Sequence, residues 1–134
     1  MAVTTAINFG SLPWEVSYIL QQGQSWREFL TIADNGTALS LTDVTYALTL
    51  STERGGTSVL TGTTAGDWTT TGVRVVSASG GQITPLIAAA DTTALKGTYF
   101  FTLVLTFPSD HSTYPSEVMP LMSGFFTFLD NATS

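Results

Sequence analysis

One stretch of the chain brings together the residue types of a hydrolase: Asp110-His111-Ser112, which contains its single histidine. A nucleophile–base–acid relay needs the imidazole between hydroxyl and carboxylate, each approached from a fixed direction. Three consecutive residues cannot set their side chains in that order, so the triplet reads as a solvated loop. With one histidine and no cysteine, a zinc or iron site would lack ligands, and thiol chemistry is excluded. Calcium would find oxygen donors in Asp34, Asn35, Asp91 and Asp130, but no run shows the alternating ligands and closing glutamate of a calcium loop. Glu15, Glu28 and Glu117 lie in or beside strand-like segments. Two of them across a glycosidic bond would serve as acid and base, whereas exposed strand acids ordinarily keep an edge in solution. Gly55-Gly56 and Gly80-Gly81 lead into no convincing helix, so they read as hairpin glycines and not as a phosphate cradle. The expectation is a chain with no catalytic residue, no metal and no cofactor.

Binding by stacking is a separate possibility, because Trp14, Trp26 and Trp68 could offer flat faces to sugar rings. Trp26 alternates with Leu30 and Ile32 and is expected in a core. Trp68 lies in the Thr- and Gly-rich stretch Thr61 to Gly72 and is the candidate glycan platform of a carbohydrate-binding β-sandwich module. The plainer reading is an indole lying across the end of a sandwich as a plug.

Such side chains would have to be positioned by strands. Val44, Tyr46, Leu48 and Leu50 alternate with Thr45, Ala47, Thr49 and Ser51, the period of a strand with one buried face. Trp14 to Gln21 and Gln24 to Ala33 read as two more, separated by Gly23. Asp34-Asn35-Gly36 closes the second, since Asn35 and Gly36 tolerate the positive φ of a tight turn. Ser58 to Gly62, Val73 to Ala78 and Gln82 to Ile87 follow, and then Ala88 to Leu95 reads as a helical turn or short crossover. Gly97 to Phe107 and Glu117 to Leu129 are the longest strands. Seven or eight short strands without sustained helical periodicity predict an all-β, antiparallel sandwich over 14–134, preceded by an N-terminal arm over 1–13. Pro85 and Pro120 cannot donate to a ladder, so each should mark a strand start, a bulge or an open edge.

The last two strands carry an apolar surplus. Tyr99, Phe101, Leu103, Leu105 and Phe107 share one face, yet Phe100 and Val104 lie on the other. Val118, Met122, Phe126 and Phe128 oppose Met119, Leu121, Phe125 and Leu129. A two-layer sandwich covers one face of each sheet, so one row should be left for a partner. Phe100, Val104, Leu121, Phe125 and Leu129 are the expected contacts, together with the arm around Ile7 and Phe9. Alternatively the arm folds back over the row, or is exchanged between subunits.

The 134 residues make one domain. Four Lys+Arg against ten Asp+Glu give a formal charge of -6, which disfavours phosphate backbones and anionic lipid. Charged residues are only 10% of the chain, so Thr, Ser, Gly, Asn and Gln must build the polar surface. Met1 to Gly10 lacks the basic and apolar regions of a signal peptide, and no apolar run approaches the roughly twenty residues of a membrane helix. Neither nucleic acid nor membrane is an expected partner.

The order Gln21-Gln22-Gly23-Gln24-Ser25-Trp26, Asp34-Asn35-Gly36, Leu39-Ser40-Leu41-Thr42-Asp43-Val44-Thr45-Tyr46 and Leu95-Lys96-Gly97-Thr98-Tyr99 resembles the small immunoglobulin-like accessory proteins of tailed bacteriophage particles. That family includes the N-terminal domain of baseplate upper proteins. Asp43 stands where its pattern has glycine. Gly97 and Tyr99 resemble a tyrosine corner, whose phenol bonds back to upstream backbone. The resemblance implies an immunoglobulin-like sandwich in a virion and a structural, non-enzymatic role. The expected function is a tail or baseplate-region accessory or adaptor protein that holds receptor-binding fibres, bound to other virion proteins and homo-oligomeric. The alternative is a capsid decoration protein on the major capsid protein.

Overall fold

The structure, a computed structural model, describes residues 5–8, 14–34, 37–112 and 114–130, with backbone alone at 5–8 and 34. Alternation sets the faces of its strands. In β6 (Thr45–Ser51), Tyr46, Leu48 and Leu50 are buried while Thr45 and Ala47 are exposed, as the period of two requires. The others are β1 (Thr5–Asn8), β2 (Trp14–Gln21), β3 (Trp26–Arg27), β4 (Leu30–Asp34), β5 (Thr37–Ala38), β7 (Ser58–Thr64), β8 (Gly72–Ser77), β9 (Gln82–Ile87), β10 (Gly97–Thr106) and β11 (Val118–Leu129). One helical turn, α1 (Ala89–Thr92), interrupts them. The triple alanine at 88–90 favours helix over strand, and Thr71 ties α1 down by accepting from the Ala88 N–H at 2.9 Å and donating to the Asp91 carboxylate.

These strands form one curled sheet in the order β1-β4-β9-β8-β7-β6-β10-β11-β2, with β3 also on β9 and β5 on β4. The sheet is mixed, which corrects the expected all-antiparallel arrangement. β1 runs parallel to β4, β7 to β8, and β2 to β11. Alternation reveals a strand's faces but not its partner's direction, so the sequence pattern could not exclude these pairings. The number of strands also exceeds seven or eight. The run expected as one strand over 24–33 breaks at Glu28 and Phe29, where the Glu28 N–H donates to the Pro85 carbonyl at 3.1 Å. Pro85 sits in β9 opposite Val73. A strand residue turns its N–H and C=O to the same side, so the missing N–H of Pro85 faces this gap between β3 and β4.

The sheet curls through β7, whose first part pairs with β6 and whose last two residues pair with β8. Gly62 and Gly72 meet backbone to backbone there, and Gly72 has φ +151. A side chain at either position would fall inside the other strand's backbone. The curl encloses Leu30, Ile32, Leu48, Leu50, Ile83, Ile87, Phe101 and Phe126, all nearly inaccessible. Phe126 is the aromatic hub, with ring centroids 4.6 Å from Phe101, 4.9 Å from Trp26 and 5.2 Å from Tyr18. Asp43 adopts φ +60, the conformation a glycine would take without steric cost.

Candidate functional site

On β10 the buried row is Phe101, Leu103 and Leu105, and the outward row is Thr98, Phe100, Thr102, Val104 and Thr106. β11 begins, from its C-terminal end, with the same logic: Phe128, Phe126 and Met122 are buried, opposite Gly97, Tyr99 and Leu103 of β10. The register then shifts, so that Leu103 pairs with Met122 but Val104 pairs with Pro120. Leu121 is the extra residue of this β-bulge, and it is fully buried. Its place among the expected contact residues is therefore corrected. The bulge turns Leu121 inward with Met122, and Met119 beyond it also packs against the core. Pro120, which lacks a ladder donor, lies beside the irregularity.

The outward surface that remains is smaller than the sequence pattern implied and differently composed. Phe125 is 41% exposed and Leu129 48% exposed. Val104 is half-buried. Phe100 points outward yet retains 8% exposure, because the Arg54 guanidinium lies 4.3 Å above its ring and Phe125 meets it edge-on at 5.7 Å. Its expected role as an open contact is corrected accordingly. β2 contributes the residue that the sequence reading missed: Ile19, 71% exposed. In register Ile19 lies beside Thr127, Ser17 beside Phe125 and Gln21 beside Leu129, so Ile19 sits diagonally between the exposed side chains of Phe125 and Leu129. A lone apolar residue in the row Glu15, Ser17, Ile19 and Gln21 was the available signal. A hollow of ≈ 230 Å³ opens on this face between Glu15, Ser17, Arg54, Ser123 and Phe125. Ile7 lies in β1, opposite Ile32 in register; Phe9, Asn35 and Gly36 fall outside the described residues.

The other candidates lie elsewhere. Trp68 is half-buried, with Arg27 and Arg74 over its ring at 4.8 and 4.7 Å and Phe29 at 6.1 Å. Sugar stacking needs a bare aromatic face, whereas two guanidiniums already engage this one. Its loop is tightened by Asp67. The Thr69 backbone N–H and the hydroxyls of Thr69 and Thr70 donate to its carboxylate at 2.9, 3.0 and 2.9 Å, and these bonds, the backbone one foremost, hold its pKa below the ordinary value. Tyr99 Oη accepts from the Lys96 N–H at 3.2 Å, closing the turn in which Gly97 takes φ +88.

His111 is buried, which corrects the expectation of a solvated loop. The Tyr114 N–H donates to Nδ1 at 3.0 Å, so the ring proton belongs on Nε2, which lies 2.9 Å from the Ser40 carbonyl. With both nitrogens engaged by backbone, the imidazole stitches two loops together and is not presented to Ser112 as a base. Among the described residues no three His, Asp or Glu gather to hold a metal ion, and no helix is long and apolar enough to cross a membrane.

The geometry thus defines an all-β domain with a curled mixed sheet and a partly apolar outer face at one edge. No family model and no curated protein matches the sequence. Thirteen chains of solved structures match. One is the N-terminal domain of phage TP901-1 ORF48, at a TM-score of 0.54 and 9% identity, over 94% of this chain and 96% of that one. At this identity the likeness is one of fold, and it runs the length of both chains.

Proposed function

We propose that the chain is a structural, non-enzymatic protein of a bacteriophage virion, an accessory or adaptor of the tail or baseplate region that holds receptor-binding fibres. The observation that carries this reading is the fold shared end to end with a phage protein's N-terminal domain. The surface agrees with such a role. Ile19, Phe125 and Leu129 leave apolar area in water, and covering it returns about 25 cal/mol per Å². A domain held among neighbours can use that area for docking.

Gold-labelled antibody on washed particles of the phage that encodes the chain tests the reading. Label at the tail tip is the expected result. Label confined to heads favours capsid decoration, and absence from the particles overturns a virion role.

A further inference from the structure

β2 ends the sheet path, and one side of it is already committed. The Gln22 N–H donates to the Leu129 carbonyl at 2.9 Å, so the even-numbered residues of this segment turn their backbone groups toward β11. Successive strand residues alternate sides, so Glu15, Ser17, Ile19 and Gln21 turn theirs to the edge. Gln21 is satisfied there: its N–H donates to the Gln24 side chain and its carbonyl accepts from the Gln24 N–H, both at 3.0 Å. Among the described residues, no bond takes the edge-facing groups of Glu15, Ser17 or Ile19. Proteins normally blunt such an edge with lysine, proline or a bulge. β2 has none of these, and Glu15 is its only charge.

We infer that this edge pairs with the β2 edge of a second copy of the chain, antiparallel, about a two-fold axis at Ser17. The register follows from the residues. A two-fold normal to the sheet keeps the buried row buried in both copies. Centring on Ser17 is the alignment that pairs every free edge residue: Glu15 with Ile19 of the second copy, Ser17 with Ser17, and Ile19 with Glu15, each exchanging both backbone bonds. Centring on Tyr18 would set Glu15 against Gln21, whose groups are taken. In the Ser17 register the two carboxylates lie apart, each against an isoleucine, and the axis passes through the small serine. Val16 and Tyr18, half-buried at this edge, become cross-strand neighbours on the inner face. The outward rows then merge into one surface carrying Ile19, Phe125 and Leu129 twice over. So few residue pairs make a small interface, and the dimer is expected to be reversible, with micromolar dissociation.

Sedimentation velocity of the full chain, from micromolar to submillimolar concentration, provides the test. The wild type should show concentration-dependent dimerisation. Ser17→Pro removes an edge-facing N–H at the axis, which an edge strand tolerates, and should leave a monomer. Ile19→Glu places like charges opposite each other twice and should raise the dissociation constant about tenfold. Ile19→Lys places opposite charges there and should not raise it. Ile19 is exposed, so this pair decides the matter even if Ser17→Pro fails to fold. A wild-type monomer throughout overturns the inference, as do a folded Ser17→Pro variant that still dimerises and equal weakening by Glu and Lys at position 19. None of these results bears on whether the chain is found in virions.

Discussion

Tyr46 carries a buried hydroxyl with no hydrogen-bond partner among the described residues. Desolvating an unsatisfied hydroxyl costs free energy that its removal recovers. Tyr46→Phe keeps the ring, so it should leave the protein unchanged or stabilise it by up to about 1 kcal/mol in urea unfolding. The same site makes a prediction about pH. Burial raises the Tyr46 pKa above its ordinary 10.0, and Tyr18 is raised by burial and by the neighbouring Glu28 carboxylate, to which its hydroxyl donates. A raised folded-state pKa favours the protonated form on folding, so its contribution is whole below pH 10.0 and lost as pH rises beyond it. Urea titrations at neutral pH and at about pH 11 should show the wild type losing more stability than Tyr46→Phe; equal losses would remove Tyr46 as a cause. Little of this was legible in the residue pattern. Alternation marks Tyr46 as buried but cannot say whether its hydroxyl finds a partner. His111 was misjudged for a related reason, because its partners at Ser40 and Tyr114 become neighbours only when the two loops meet.

Among the elements, β2 depends on a glycine far away in the chain. Gly124 has φ +156, and a Cβ there would fall within the contact distance of the Val16 carbonyl. The close approach of β11 and β2 therefore requires the absence of a side chain. Gly124→Ala should cost about 2–4 kcal/mol. The loss should be local first: hydrogen exchange should speed at Val16, Tyr18 and Leu20, whose amides face β11, before the β6–β10 amides respond. Uniform exchange across the sheet would show instead that β2 is not the element Gly124 holds. The strands themselves were largely readable. β2 has the expected limits, β6 lies one residue inside them, and α1 falls within the expected helical turn. What escaped was pairing. Leu121 belongs to a run that is apolar on both of its alternate rows, and only the register against β10 reveals the bulge that buries it. Likewise nothing in Trp14 to Gln21 announces a parallel neighbour, since direction is decided by a chain path that local pattern does not encode.

At the scale of the molecule, the sparse positive charge is tied up close to the surface. Arg27 and Arg74 lie over Trp68 and Arg54 over Phe100, while Lys96 meets Asp130 at 3.2 Å with both side chains exposed. These account for all four Lys+Arg of a chain with ten Asp+Glu. Three of the four cations thus hold aromatic rings in place, and the Lys96–Asp130 pair, open to water, contributes little. Ten Asp+Glu against four Lys+Arg leave a formal net charge of -6, and the self-repulsion of that excess negative charge opposes the folded state. Sodium chloride shortens its range, since the screening length falls to about 10 Å at 0.1 M. The thermal midpoint should therefore rise with salt from very low ionic strength to about 0.15 M, by about 2–5 °C, and potassium chloride should act alike because the effect is screening. Scanning calorimetry at fixed pH and dilute protein, where any dimer is dissociated, reads this directly. A midpoint that falls with salt would mean that the Lys96–Asp130 pair or the arginine contacts outweigh the repulsion, and the surface would have to be reread as held together by its charges.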